Sequence, residues 1–302
     1  MLQNFEHLYL VYQCKRAGTV QILDGHDYDS FVKTMAVIKN KPPLDVSICH
    51  IYPVRGNGRI GLLHHENLFY GGRYQNCKLG NRSFGGGRSI HHSRLLQEWD
   101  VGVNDTVNEV LIKVERFLGP IIERYLENVS VRKSPKAALI GKIVELDPKR
   151  AVEDLMLAPC SQLLTIMQFL TRQTQFKVSR PKRASKYLNY IDELTRFISY
   201  QPAKCRYLRI IRRLMVIGYI CLAKERSSST HNAEIVSKYK QIVSRYHNAC
   251  LKEEVDWSEF KDFMYDTAFF ALQGKRGSIV SLILTFVGYI DVRSIRGRCV
   301  ND

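Results

Sequence analysis

The sequence predicts an α+β fold, with a mixed N-terminal module over residues 1–100 followed by a mainly α-helical, basic domain over 101–302. Three observations lead there. Nine glycines fall between Gly56 and Gly87, a density that means loops and close backbone approach rather than helices. After about residue 100 the glycines thin out and apolar residues recur with a 3.6-residue period. The chain has 302 residues, 45% hydrophobic and 25% charged, which suits a folded protein of two ordinary domains with a sizeable core.

Residues 7–13, rich in aromatic and aliphatic types, read as a strand, and Val20 to Leu23 as a second. Residues 28–39 place Phe31, Met35 and Ile38 at helical spacing after an Asp-rich start, and Pro42-Pro43 ends that helix. Leu44 to Cys49 alternates as a short strand leading into His50-Ile-Tyr-Pro53. Asn104-Asp105 can cap a helix running to about Asn128, with Gly119-Pro120 kinking or breaking it. Further helices are expected at 151–157, 161–173, 184–199, 203–225, 231–251, 256–273 and 277–290. The basic link 174–184, with Pro181, marks a further boundary.

The charge balance is 45 Lys and Arg against 29 Asp and Glu, a formal +16. It is uneven: residues 151–250 carry 17 basic and 6 acidic side chains, whereas the last 52 are near neutral. A concentrated excess favours a polyanionic partner, because neutralising phosphates releases counterions. The eight cysteines form no C-x-x-C pair, which argues against a zinc ribbon or a disulfide framework. Met1 to Glu6 offers no basic, apolar leader, and the longest apolar stretch, Ile279 to Ile290, is too short for the roughly 20 residues a bilayer span needs. That stretch reads as a buried core helix. The expected setting is therefore reducing and cytoplasmic, with no membrane partner.

The chemistry-bearing stretch is Cys49-His50-Ile-Tyr-Pro53, then Gly61-Leu-Leu-His-His-Glu-Asn67-Leu68, then Gln75-Asn76-Cys77-Lys78. It resembles the HNH (His-Me finger) endonuclease family over about residues 44–82, with a strand-end His-Ile-x-Pro, a Gly-containing loop, an Asn-Leu, and an Asn nine positions later. The resemblance implies a ββα-metal module at the N-terminus. It implies catalytic roles for His50, as the base that deprotonates a water, and for Asn67, which holds the loop and orients the imidazole. Asn76 by match ligates a single divalent cation. Mg²⁺ is the ion implied first, since an amide oxygen is a hard donor, with Zn²⁺ and Mn²⁺ as alternatives.

Cys49 departs from the pattern, because many family members carry an acidic ligand just before the histidine. Either Cys49 itself ligates a softer metal, or His64, His65 or Glu66 supplies the missing ligand, or metal binding is lost. Seven of nine histidines lie in residues 1–92, so His65 joins Asn76 and Cys49 as candidate ligands. Arg55, Arg59, Arg73 and Arg82 surround the motif as candidate phosphate contacts. In 203–225, Leu208, Ile211, Met215 and Tyr219 form an apolar stripe, while Arg206, Arg209 and Arg213 form a basic edge that can face nucleic acid. The expected function is metal-dependent hydrolysis of phosphodiester bonds, in DNA ahead of RNA. The competing reading is a non-catalytic nucleic-acid-binding or assembly protein on the same scaffold.

Overall fold

The computed structural model describes residues 5–42, 45–128, 135–171, 186–200, 205–225 and 232–291. In chain order the elements begin with α1 (Phe5–Ala17), α2 (Tyr28–Lys39), β1 (Val46–His50), β2 (Arg59–Gly61), β3 (Leu68–Gly72), α3 (Arg73–Leu79) and β4 (Ser89–His91). Helices α4 (Val107–Leu118), α5 (Pro120–Asn128), α6 (Pro135–Leu146), α7 (Val152–Leu157), α8 (Cys160–Thr171), α9 (Lys186–Tyr200) and α10 (Arg206–Glu225) follow. The last are α11 (Asn232–Lys238), α12 (Lys240–Tyr246), β5 (Cys250–Leu251), α13 (Trp257–Leu272), α14 (Ile279–Tyr289) and β6 (Ile290–Asp291). Mixed secondary structure is thus present, mainly helical, with three two-stranded sheets among the described residues.

The chain does not divide at residue 100. One compact unit takes residues 1–40, 58–65 and 90–182; the other takes 41–57, 66–89 and 183–302. Long-range packing, which no local pattern encodes, sets this division. The expected link 174–184 lies outside the described residues.

In the first unit, residues 7–13 are helical rather than extended. His7, Leu10, Val11 and Cys14 are buried, a spacing of three and four that puts them on one helix face, while Leu8 and Tyr12 face out. Leu and Gln are good helix formers, and burial on this face outweighs the strand-like composition. Val20–Leu23 is likewise a short 3-10 helix, capped by the Thr19 hydroxyl, which accepts from the Gln21 N–H. Helix α4 is capped one residue later than expected. Thr106 accepts from the Glu109 N–H, and the Glu109 carboxylate accepts in return from the Thr106 N–H at 2.6 Å. Helices α6, α7 and α8 share a small core of Ile140, Ile143, Leu155, Leu163 and Met167.

The second unit contains a two-stranded antiparallel sheet of β1 and β3, non-consecutive in the chain, whose outer β3 edge meets a helix rather than a third strand. β1 and β3 pair antiparallel, from Val46 opposite Gly72 to His50 opposite Leu68. Helix α9 runs beside β3 and supplies side chains where a third strand would supply backbone. The Tyr190 hydroxyl accepts from the Gly72 N–H at 2.8 Å, Glu193 Oε2 accepts from the Tyr70 N–H at 3.2 Å, and Arg196 Nη2 donates to the Leu68 carbonyl at 2.6 Å. Residues 190, 193 and 196 lie on one helix face, matching strand residues 72, 70 and 68, which share one edge. Glu193 and Arg196 are also paired with each other. Glu193 is only 4% exposed, and burial pushes its carboxyl above the ordinary range despite the guanidinium beside it.

Helices α9, α10 and α13 enclose the core of this unit, with Tyr190, Ile211, Met215, Phe260, Met264 and Phe269 fully buried. The α10 stripe of Leu208, Ile211, Met215 and Tyr219 is buried as its period requires. The expected helix 231–251 is instead two, interrupted at Tyr239 and followed by β5. Helix α14 is not a core helix. Phe286 is buried, but Val280, Ile283, Leu284 and Val287 face outward.

The edge contacts make two measurable predictions. Glu193→Ala leaves Arg196 a poorly compensated cation and removes the acceptor of the Tyr70 N–H, and should cost about 3–5 kcal/mol in urea unfolding. Because the folded-state pKa of Glu193 is raised, its linkage contribution is complete below the unfolded carboxylate range and fades as pH rises through the folded value. Glu193→Gln should therefore compare worst with wild type in mild acid, and the gap should narrow toward neutral pH. Curves that stay parallel from acid to neutral would refute this.

Candidate functional site

All three motif residues, His50, Asn67 and Asn76, belong to the second unit. His50 ends β1, half-buried, and its backbone carbonyl accepts from Gln273 Nε2 at 3.1 Å. Pairing then continues beyond the ladder, because the Ile51 N–H donates to the Asn67 carbonyl at 2.8 Å. The Asn67 side chain takes over from there. Its Oδ1 accepts from the Tyr52 N–H at 2.8 Å and its Nδ2 donates to the Tyr52 carbonyl at 3.2 Å. One fully buried carboxamide thus satisfies both polar backbone groups of Tyr52, fifteen residues earlier in the chain. An ionised aspartate, which only accepts, could not do this, whereas an amide presents a donor and an acceptor side by side.

Gly87 closes over this clamp. Its φ is +88°, a region that favours glycine, and a Cβ there would collide with Asn67 Oδ1 and the Tyr52 nitrogen. The Gly85-Gly86-Gly87 run therefore has a positional reason: Gly86 lies against Ile51 and Gly274, and Gly87 against the Asn67–Tyr52 bonds.

Helix α3 follows β3 directly. Gln75 and Leu79, four residues apart, are buried, with Gln75 Nε2 donating to Asp266 Oδ1 on α13 at 3.1 Å. Asn76 sits beside that buried face, half-covered, while Tyr74 and Lys78 point outward. The strand-end histidine, the loop-bracing asparagine and the helical asparagine thus occupy one strand–loop–strand–helix segment.

The other candidate ligands are placed differently. Strand alternation turns the Cys49 thiol into the core, where it packs beside Gly71, Phe69 and Phe269 and donates weakly to the Ser47 carbonyl. Burial pushes this thiol far above its ordinary range, so it stays protonated. His65 belongs to the first unit, where its ring stacks on His64 at 4.5 Å and His64 in turn stacks on His26 at 4.8 Å. Both are buried, and the His65 N–H donates to the Thr34 hydroxyl at 2.8 Å. The His64-His65 pair is thus built into a packed stack. Among the described residues no group of three or more His, Cys, Asp or Glu side chains is placed to hold a metal ion.

Of the arginines near the motif, Arg55, Arg59 and Arg73 are exposed. Arg82 is exposed too, and it also serves α3: its Nε donates to the Leu79 carbonyl at 3.1 Å and its Nη2 to the Lys78 carbonyl at 2.6 Å, satisfying the helix end. On α10, Arg206, Arg209 and Arg213 are exposed as expected. The reading from sequence missed Arg245 on α12, which lines one cleft with Arg209, Arg212 and Arg213. It also passed over Gln273 and Gly87, whose partners lie far away in the chain.

No family model, curated protein or solved structure matches this chain.

The clamp and the thiol can each be tested. Asn67→Ala removes both partners of the part-buried Tyr52 backbone groups, at up to about 1–3 kcal/mol each, and Gly87→Ala should destabilise through the same bonds. Thermal or urea unfolding of the two single variants and the double variant should show effects well short of additive. In a native thiol titration, exposed Cys77 and Cys160 should react first and Cys49 only on unfolding. Early labelling of Cys49 would place its thiol outside the core.

Proposed function

We propose that the β1–β3–α3 segment is the catalytic centre of a metal-dependent endonuclease of the HNH (His-Me finger) kind. The observation that carries this reading is the two-bond grip of Asn67 on Tyr52. It fixes the backbone just past His50, while Gln273 holds the His50 carbonyl. A general base must be held within hydrogen-bond reach of the water it deprotonates, and this bracing holds the backbone that carries the imidazole. In this reading His50 accepts the proton of the attacking water, and exposed Arg55 and Arg73 contact phosphate.

The donor that fits a cation is Asn76, whose amide oxygen is hard and suits Mg²⁺, an ion that keeps several waters. Cys49, buried and protonated, does not offer the thiolate that would favour Zn²⁺. When bound, the cation would offset charge developing on the phosphate and the leaving oxygen. Duplex DNA is the first substrate by resemblance, and RNA the second.

The burial of Cys49 favours a second reading as well. The position where many members of that family carry an acidic ligand here fills the core, as it would in a scaffold that binds nucleic acid without cutting it. Plasmid incubation with Mg²⁺ or Mn²⁺ separates the two. Nicking that EDTA abolishes, and that falls by about 10²–10⁴-fold in His50→Ala, is the expected result. Asn76→Ala should raise the Mg²⁺ concentration required. Retention of plasmid with no nicking by wild type would sink the nuclease reading and leave the binding protein.

A further inference from the structure

Helices α10 and α12 of the second unit enclose an open cleft of about 340 Å³. Its lining is Arg209, Arg212 and Arg213 from α10, and Gln241, Ile242 and Arg245 from α12. Four of these six residues carry guanidinium groups and none is acidic. Cations three and four residues apart on one helix repel one another, and a fourth from the facing helix adds to the repulsion. An arrangement of this kind gains most from a bound polyanion.

The arginines are also held in place. Arg213 Nη2 donates to the Tyr246 hydroxyl at 3.0 Å and its guanidinium lies 5.4 Å from that ring centre. Arg245 lies 5.9 Å from the same ring, so one tyrosine holds two of the four cations. Arg212 lies 5.7 Å from the Tyr239 ring and reaches the Thr195 hydroxyl at 3.4 Å. Guanidinium forks held this way are suited to phosphate oxygens, and their ordering on binding costs less entropy.

We infer that this cleft is a phosphate-binding site that grips the backbone of a nucleic acid strand, apart from the residues proposed to cut it. None of His50, Asn67 or Asn76 lines it. A polymer fits better than a small free anion because the basic row runs on. Arg206 is exposed on the same face of α10, two turns before Arg213, and lies beyond the cleft lining. Successive phosphates can follow such a row, whereas a single ion would leave Arg206 unused. The identity of the ligand rests on the nucleic-acid reading above; the phosphate chemistry of the cleft does not.

The test is binding of a short fluorescent DNA duplex by anisotropy, in EDTA so that cleavage plays no part. Salt is varied from about 50 to 200 mM. Removing one arginine that neutralises a phosphate should reduce the slope of log K against log salt by about 0.9. The triple variant Arg209→Gln/Arg213→Gln/Arg245→Gln should lower that slope by about two to three and weaken binding at low salt by at least ~10-fold. Arg245→Gln alone, which leaves α10 untouched, should remove about one unit of slope, and circular dichroism checks that both variants fold. Unchanged slope and affinity in folded variants overturn the proposal. If wild type retains no duplex at all, the nucleic-acid reading falls, and calorimetry with sodium tripolyphosphate decides the cleft. Heat from wild type that the triple variant does not give keeps it as a phosphate site for a free polyphosphate; no heat from wild type overturns it.

Discussion

The open edge of β3 is the constraint on which the second unit depends. A two-stranded sheet leaves a row of backbone donors and acceptors unpaired on its outer strand, and burying them without partners costs more than a small sheet can recover. Three side chains of α9 stand in for the absent strand, meeting the Leu68 carbonyl and the Tyr70 and Gly72 N–H groups. Glu193 and Arg196 belong together in this role. Glu193 accepts from the Tyr70 N–H, Arg196 donates to the Leu68 carbonyl, and each makes the burial of the other tolerable.

From that edge, order is passed toward His50. With β3 held, β1 has a fixed partner, and the Asn67 carboxamide extends the pairing by one residue without adding a strand. Gly87 leaves room for those bonds, and Gln273, at the end of α13, reaches back to the His50 carbonyl. The backbone around one histidine is thus held from three parts of the chain. The arginines of the α10–α12 cleft are held by other groups, the rings of Tyr246 and Tyr239 and the Thr195 hydroxyl.

Sequence patterns disclosed the amphipathic helices well, because a stripe such as Leu208, Ile211, Met215 and Tyr219 is a local signal. They failed where composition and spacing disagreed. In α1 a strand-like run of aromatic and aliphatic residues hid the helical spacing of His7, Leu10, Val11 and Cys14. Helix α6 was not expected, although Leu139, Ile140, Ile143 and Val144 lie on one side of it and pack on one core. The candidate residues were chosen by order and spacing, a signal that says nothing of their partners. Tyr70 meets a carboxylate 123 positions away and His50 an amide 223 positions away, separations no window can span. Arg82, expected as a phosphate contact, is exposed and also closes the end of α3, a role that its place beside the motif did not signal.

The interleaving of the two units also governs the order in which the protein can become native on the ribosome. The β1–β3 pair leaves the exit tunnel early, but α9 and α13, which cover its edge and its apolar face, emerge more than a hundred residues later. Until then Phe69, Cys49 and a bare strand edge have no native cover, the state in which nascent chains are most prone to pair with one another. A fragment cut at residue 100 would make that interval permanent. The segment bearing His50 is therefore an early-made part of a late-completed fold, and cannot be lifted out as a self-sufficient module.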